Sequence, residues 1–115
     1  MRIHVVEDDA GVSDSLSLTL AALGHDVVAH RTAEALFGTS PPRGEDTVIV
    51  DLSLPGIQGA QVVRWLAELA APPRIVVISG QSQGAIDHQL RGFPPLVLLR
   101  KPLDIAALSS LVAEV

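Results

Sequence analysis

Apolar residues come in two rhythms along this chain, and the rhythms alternate. Compact aliphatic runs, of the kind that form strands buried on both faces, lie at Arg2–Val6, Asp26–His30, Thr47–Leu52, Arg74–Ser79 and Leu96–Arg100. Between them the spacing opens to three and four. Val12, Leu16, Leu20 and Leu23 share one face of a first helix that Asp9 can cap and Gly24 ends. Thr32 caps a brief second helix through Phe37, and 38–46, with Pro41 and Pro42, reads as a loop. A third helix, 60–70, points Val62, Val63, Leu66 and Leu69 inward and is stopped by Pro72 and Pro73. A weaker fourth covers about 84–91 and ends at Gly92, with Gly84 lowering its propensity. Asp104 caps a fifth helix carrying Ile105, Leu108, Leu111 and Val112.

Strands that alternate with helices predict an α/β fold. The expected form is a single doubly wound five-stranded parallel sheet in the order 2-1-3-4-5, with helices on both faces. Its switch point lies between strands 1 and 3, where such sheets hold their ligands outside the carboxyl ends of the strands.

Composition narrows this picture. At 115 residues the chain suits one domain, 1–115, with no effector domain in this chain. With only Phe37, Trp65 and Phe93 aromatic, the core must be aliphatic, and Trp65 reads as a helix residue lying over a neighbour. No apolar run is long enough to cross a membrane, and the N-terminus turns acidic too soon for a signal peptide. The absence of cysteine excludes thiolate metal sites and fits a cytoplasmic protein. A net charge of −5 without a basic cluster argues against a nucleic-acid surface. His4, His25, His30 and His88 lack metal-ligand spacing and read as structural or surface residues.

The chemistry gathers where strands end. Glu7 and Asp8 close strand 1, Asp51 strand 3, Ser79 strand 4, and Lys101, the only lysine, strand 5. A parallel sheet brings all these ends to one edge. A carboxylate at the end of a run like Val48-Ile49-Val50 cannot be buried unpaired, so Asp51 must face a crevice. Two unit charges about 4 Å apart repel by roughly 4 kcal/mol at an effective dielectric near 20, so three carboxylates there call for a cation. Oxygen ligands suit a hard divalent ion, Mg²⁺ or Mn²⁺ in its place. With that ion present, Asp51 could attack a phosphoryl group in line and become an acyl phosphate. The ion, the Lys101 ammonium, the Ser79 hydroxyl and nearby backbone N–H groups would cover its oxygens.

Four stretches carry a family resemblance: Val5-Val6-Glu7-Asp8-Asp9, Val50-Asp51-Leu52-Ser53-Leu54-Pro55-Gly56-Ile57-Gln58-Gly59, Ile78-Ser79-Gly80 and Arg100-Lys101-Pro102. In this order, each closing a strand, they resemble the receiver domain of response regulators in two-component phosphorelays, over essentially the whole chain. The resemblance implies that Asp51 is the phosphoacceptor and Asp8 a direct Mg²⁺ ligand, with Glu7 acting through water and the Ser53 carbonyl as a further ligand. Ser79, Gly80 and Lys101 would contact the phosphoryl group, and Ser53 and Gln81 would tune its hydrolysis. The donor would be a sensor histidine kinase or a histidine phosphotransfer protein. A downstream protein would dock on the face of helix 4, strand 5 and helix 5. Such a chain is not an enzyme in the usual sense, since it catalyses only its own phosphorylation and dephosphorylation.

One departure stands out. Receivers usually carry Tyr or Phe three residues before the lysine, and here that switch position is Leu98. The expected consequence is output through ordering of the 80–84 loop and helix 4, with Leu96 and Leu98 offered as an aliphatic patch. Rival readings fare less well. A hydrolase of the haloacid dehalogenase type needs a second acid where Ser53 stands, and a flavin or nucleotide binder would not meet phosphate with Glu7-Asp8-Asp9. The alternative that remains is a constitutive receiver-fold interaction module that is not phosphorylated.

Overall fold

The computed structural model describes residues 1–38, 42–53 and 59–113. In chain order the elements are β1 (Arg2–Val6), α1 (Ala10–Ala22), β2 (Asp26–His30), α2 (Ala33–Gly38), β3 (Thr47–Asp51), α3 (Gly59–Ala67), β4 (Arg74–Ser79), α4 (Gln83–Gln89), β5 (Val97–Arg100) and α5 (Ile105–Ala113). The strands form one sheet in the order β2-β1-β3-β4-β5, and every pairing is parallel. The expected architecture and the expected switch point are both present.

The sheet alternation divides the core into two layers. Val6, Val48, Val50 and Val77 face α2, α3 and α4, where Leu36, Val62, Val63, Leu66 and Ile86 meet them. Ile3, Val5, Ile49, Val76 and Ile78 face the other side, against Leu16 and Leu20 of α1 and Leu108 of α5. Each fully buried aliphatic side chain of this kind stabilises the fold by about 1.5–3 kcal/mol relative to exposure. β3, in the middle of the sheet, is buried along its whole length.

Local signals set the helix starts. Asp9 Oδ1 accepts from Val12 N at 3.1 Å, Thr32 Oγ1 from Ala35 N at 3.0 Å, and Asp104 Oδ1 from Ala106 N at 2.9 Å. α4 begins one residue before the expected 84, because Ser82 caps it by accepting from Ala85 N at 3.2 Å. Helix ends explain the other differences. Leu23 is 46% exposed and does not face inward, because α1 stops at Ala22 and the chain reverses at Gly24 with φ +92°. α3 ends at Ala67, leaving Leu69 half-buried against the core edge. Ile105, the first residue of α5, is 63% exposed. The side chain of Val112 and the turn expected from Pro55 and Gly56 lie outside the described residues.

The start of α3 runs unusually close to the end of β3. A Cβ at Gly59 would collide with the Asp51 carbonyl oxygen and the Leu52 Cα, both backbone atoms that cannot yield, so only glycine fits. The helix is thereby held against the strand end that carries Asp51.

Two expected structural histidines form a buried set. His4 Nδ1 lies 3.2 Å from His30 Nε2, and His4 Nε2 lies 3.2 Å from Asp46 Oδ2. All three are at most 5% exposed. Trp65 meets Phe37 edge-on at 5.4 Å between centroids, as a helix residue resting on its neighbour.

Candidate functional site

The polar residues at the strand ends converge as the topology requires. One carboxylate oxygen each from Glu7, Asp8 and Asp51 can be chosen so that all three lie within 4.8 Å of one another. Glu7 and Asp51 are buried, while Asp8 is exposed at the mouth of the cluster. Such an all-oxygen set, open on one side, fits a hard divalent cation that keeps part of its water shell.

Lys101 supplies the positive charge. Its Nζ stands 2.9 Å from Glu7 Oε2 and 3.1 Å from Asp51 Oδ2, and so joins strands on either side of the switch point through a single ammonium. Burial pushes the Glu7 carboxyl up to about 7, reinforced by Asp51 and opposed by the Lys101 ammonium and the Asp9 N–H. Burial opposes the charge on Lys101, but its hydrogen bonds to Glu7 and Asp51 outweigh this and hold its pKa above the usual lysine value. The ammonium therefore persists beside a carboxyl group that gains a proton readily.

Backbone groups complete the cradle. Ser53 N donates to Asp51 Oδ1 at 2.9 Å, placing Ser53 directly over the carboxylate. Leu52 N donates to Ile78 O and Lys101 N to Ser79 O, so the ends of β3, β4 and β5 are tied where the functional side chains emerge. The Lys101–Pro102 peptide bond is cis. Ser79 is fully buried, and its Oγ accepts from Gln81 N at 3.0 Å, turning the hydroxyl into its own loop. A Cβ at Gly80 would sit 3.7 Å from the Cβ and Cδ of Lys101, so this glycine packs along the lysine stem at ordinary contact distance.

Leu98 is half-buried and packs with Leu96 and Phe93 against the layer that contains Ile86. Of the expected aliphatic patch, both Leu96 and Leu98 are partly exposed and partly packed on the core beneath α4. Sequence reasoning missed Arg100. It sits on the same face of β5 as Leu98, with Nη1 donating to Gln83 Oε1 at 3.0 Å and Nη2 to the Gln81 carbonyl at 2.9 Å. Its position next to Lys101 was the available signal. The partners lie 17 and 19 residues away and could not be read locally.

Comparison with known proteins places these features in a family. Residues 3–113 match the family model described as the response regulator receiver domain. The transcriptional regulatory protein FixJ of Azorhizobium caulinodans is 27% identical over 112 residues, covering 97% of this chain and 53% of FixJ. The DNA-binding response regulator MtrA of Mycobacterium tuberculosis is 32% identical over 110 residues, covering 87% of this chain and 48% of MtrA. The chain thus spans about half the length of these curated relatives. Among solved structures, a response regulator receiver protein from Pseudomonas putida superposes with a TM-score of 0.83 at 26% identity, covering 99% of this chain and 96% of that one. The FixJ-N crystal structure gives 0.83 at 23% identity, over 97% and 90%.

Proposed function

The chain belongs to the response regulator receiver family of two-component systems, and from that membership we propose that it carries a signal as a phosphoryl group on Asp51. The observation that carries this reading is the cluster of Glu7, Asp8 and Asp51 oxygens within 4.8 Å, with the Lys101 ammonium 3.1 Å from the Asp51 carboxylate.

In this reading Glu7, Asp8, Asp51 and the Ser53 carbonyl hold Mg²⁺, or Mn²⁺ in its place. Held there, the ion would neutralise charge on an incoming phosphoryl group. An Asp51 carboxylate oxygen attacks phosphorus in line, the P–N bond of a partner's phosphohistidine breaks, and the imidazole leaves with the electron pair. Lys101 turns from Asp51 to a phosphoryl oxygen, and Ser79 with the Gly80 N–H cover another. Loss of the group follows when water attacks the acyl phosphate past Ser53 and Gln81, whose side chains govern that approach. No other reaction is assigned. The donor is a sensor histidine kinase or a histidine phosphotransfer protein, and a protein target reads the face formed by α4, β5 and α5. No helix among the described residues is long and apolar enough to cross a membrane, which accords with a cytoplasmic role.

Incubation with Mg²⁺ and acetyl phosphate, followed by intact-mass measurement, tests the assignment. The wild type should gain one phosphoryl group that hydroxylamine removes, and Asp51→Asn should gain none. Equal labelling of the two proteins, or none in either, would overturn it.

A further inference from the structure

Resting on the phosphoryl-acceptor reading, we propose that Arg100 is a positioning residue. Its guanidinium ties the β4–α4 loop to β5 and thereby restrains the site from admitting a phosphoryl group.

Space sets the problem. Asp51 is 1% exposed and Ser79 not at all, and Gly80 already packs along the Lys101 stem. A phosphoryl group added to Asp51 needs room beside Ser79 and the Lys101 stem. The strand ends cannot supply it, because β3, β4 and β5 are bound together through Leu52 N to Ile78 O and Lys101 N to Ser79 O. The 80–82 segment borders that room. It is joined to the site by the hydrogen bond from Gln81 N to Ser79 Oγ, and to the edge of the sheet by Arg100.

Gln81 is therefore held at both backbone groups. Its N–H reaches inward to Ser79 and its carbonyl outward to Arg100, so displacement of the loop at one end must be felt at the other. The second arm of the guanidinium grips Gln83 Oε1, and Gln83 Nε2 continues to Asp87 Oδ1 at 2.9 Å, which extends the tie along the first turns of α4. The resting loop is not fully satisfied, since Gln81 Oε1 is buried and takes no hydrogen bond among the described residues. A buried acceptor without a donor favours rearrangement. Arg100 holds the loop against it. The planar fork of arginine matches two acceptors at once, which the point charge of lysine does not.

The sign of the effect separates this role from simple electrostatics. Removing a cation near an anion-binding site weakens anion binding, whereas releasing a restraint strengthens it. Beryllofluoride at saturating Mg²⁺ serves as the probe, with apparent affinity read from its effect on the thermal midpoint and loading by acetyl phosphate followed by intact mass. Arg100→Ala should bind beryllofluoride about fivefold more tightly than wild type, the worth of one ordinary hydrogen bond, because both contacts of the guanidinium are exposed to solvent, and should load faster by a similar factor. Arg100→Lys, which keeps the charge but not the fork, should shift in the same direction. Gln83→Ala, which removes one acceptor and no charge, should fall between Arg100→Ala and wild type. Affinity unchanged or weakened in Arg100→Ala would overturn the proposal, and so would an Arg100→Lys protein indistinguishable from wild type. A wild type that neither binds beryllofluoride nor takes up a phosphoryl group would instead remove the underlying acceptor reading, and the restraint with it.

Discussion

The Lys101 ammonium stands 2.9 Å from Glu7 Oε2, a carboxylate on a residue that solvent does not reach. It touches Asp51 from the same position at 3.1 Å, so one cation already serves two of the three acids that could hold a metal ion. A divalent ion entering the cluster must share these carboxylates with the lysine.

Lys101→Met should therefore tighten Mg²⁺ binding several-fold, because a competing positive charge is gone. It should also lower stability without metal by about 1–3 kcal/mol, the usual cost of leaving a buried polar group without its partner. Glu7 limits that cost by taking up a proton, since burial already lifts its carboxyl to about 7. Thermal melts across a Mg²⁺ titration check both effects, because binding to the native state raises the midpoint by mass action. A variant whose midpoint responds to Mg²⁺ less than wild type would show that the ammonium does not compete. Acetyl phosphate loading should fall in the same variant.

Leu98 leads to a second prediction, in which packing outweighs signalling. Because it is half-buried against the layer containing Ile86, Leu98→Ala should cost about 1–2 kcal/mol, below the range for fully buried leucine. Phosphoryl loading should persist, since the side chain lies outside the acidic cluster. Urea unfolding together with intact-mass labelling tests the pair. A stability unchanged by the truncation would mean that Leu98 is an exposed patch after all.

The contrast between Leu98 and Asp51 shows what could be read before folding and what could not. Asp51 was legible because a charge closing the Val48–Val50 run has one tolerable place, and Lys101 because β5 ends at the same edge of a parallel sheet. The parallel sheet followed from strict alternation of strand and helix. Leu23 was misread because it lies at a helix end, where the period of 3.6 no longer decides which way a side chain faces. The reach of Arg100 depends on where α4 starts, which Ser82 sets by capping. The histidine set was hidden by distance, since His4 and His30 are 26 positions apart and His4 and Asp46 are 42 apart. The register pairs Val6 with His30 and His4 with Val28, so the two rings meet only as diagonal neighbours across β1 and β2.

That buried set leads to the last prediction, a dependence of stability on pH. The ring contacts are satisfied with His30 neutral. His4 Nε2–H donates to Asp46 Oδ2, which also accepts from Arg43 N, and His4 Nδ1 accepts from His30 Nε2–H. His30 is then neutral. Burial lowers the His30 pKa below its usual 6.5, and the neighbouring His4 lowers it further. The unfolded chain thus binds this proton more readily than the folded one. The stabilisation is complete above about pH 6.5 and is lost as pH falls from there through the lowered folded-state value. Glu7 acts in the opposite sense, because its raised carboxyl pKa makes the folded protein the better proton acceptor between its ordinary value and about 7. The two contributions overlap, so a difference between proteins isolates the histidine. Urea unfolding at intervals from pH 7.5 to 5 should show wild type losing stability relative to His30→Gln as pH falls, with a slope approaching about 1.4 kcal/mol per pH unit for one proton. Parallel curves for the two proteins would mean that His30 is protonated as readily in the fold as out of it.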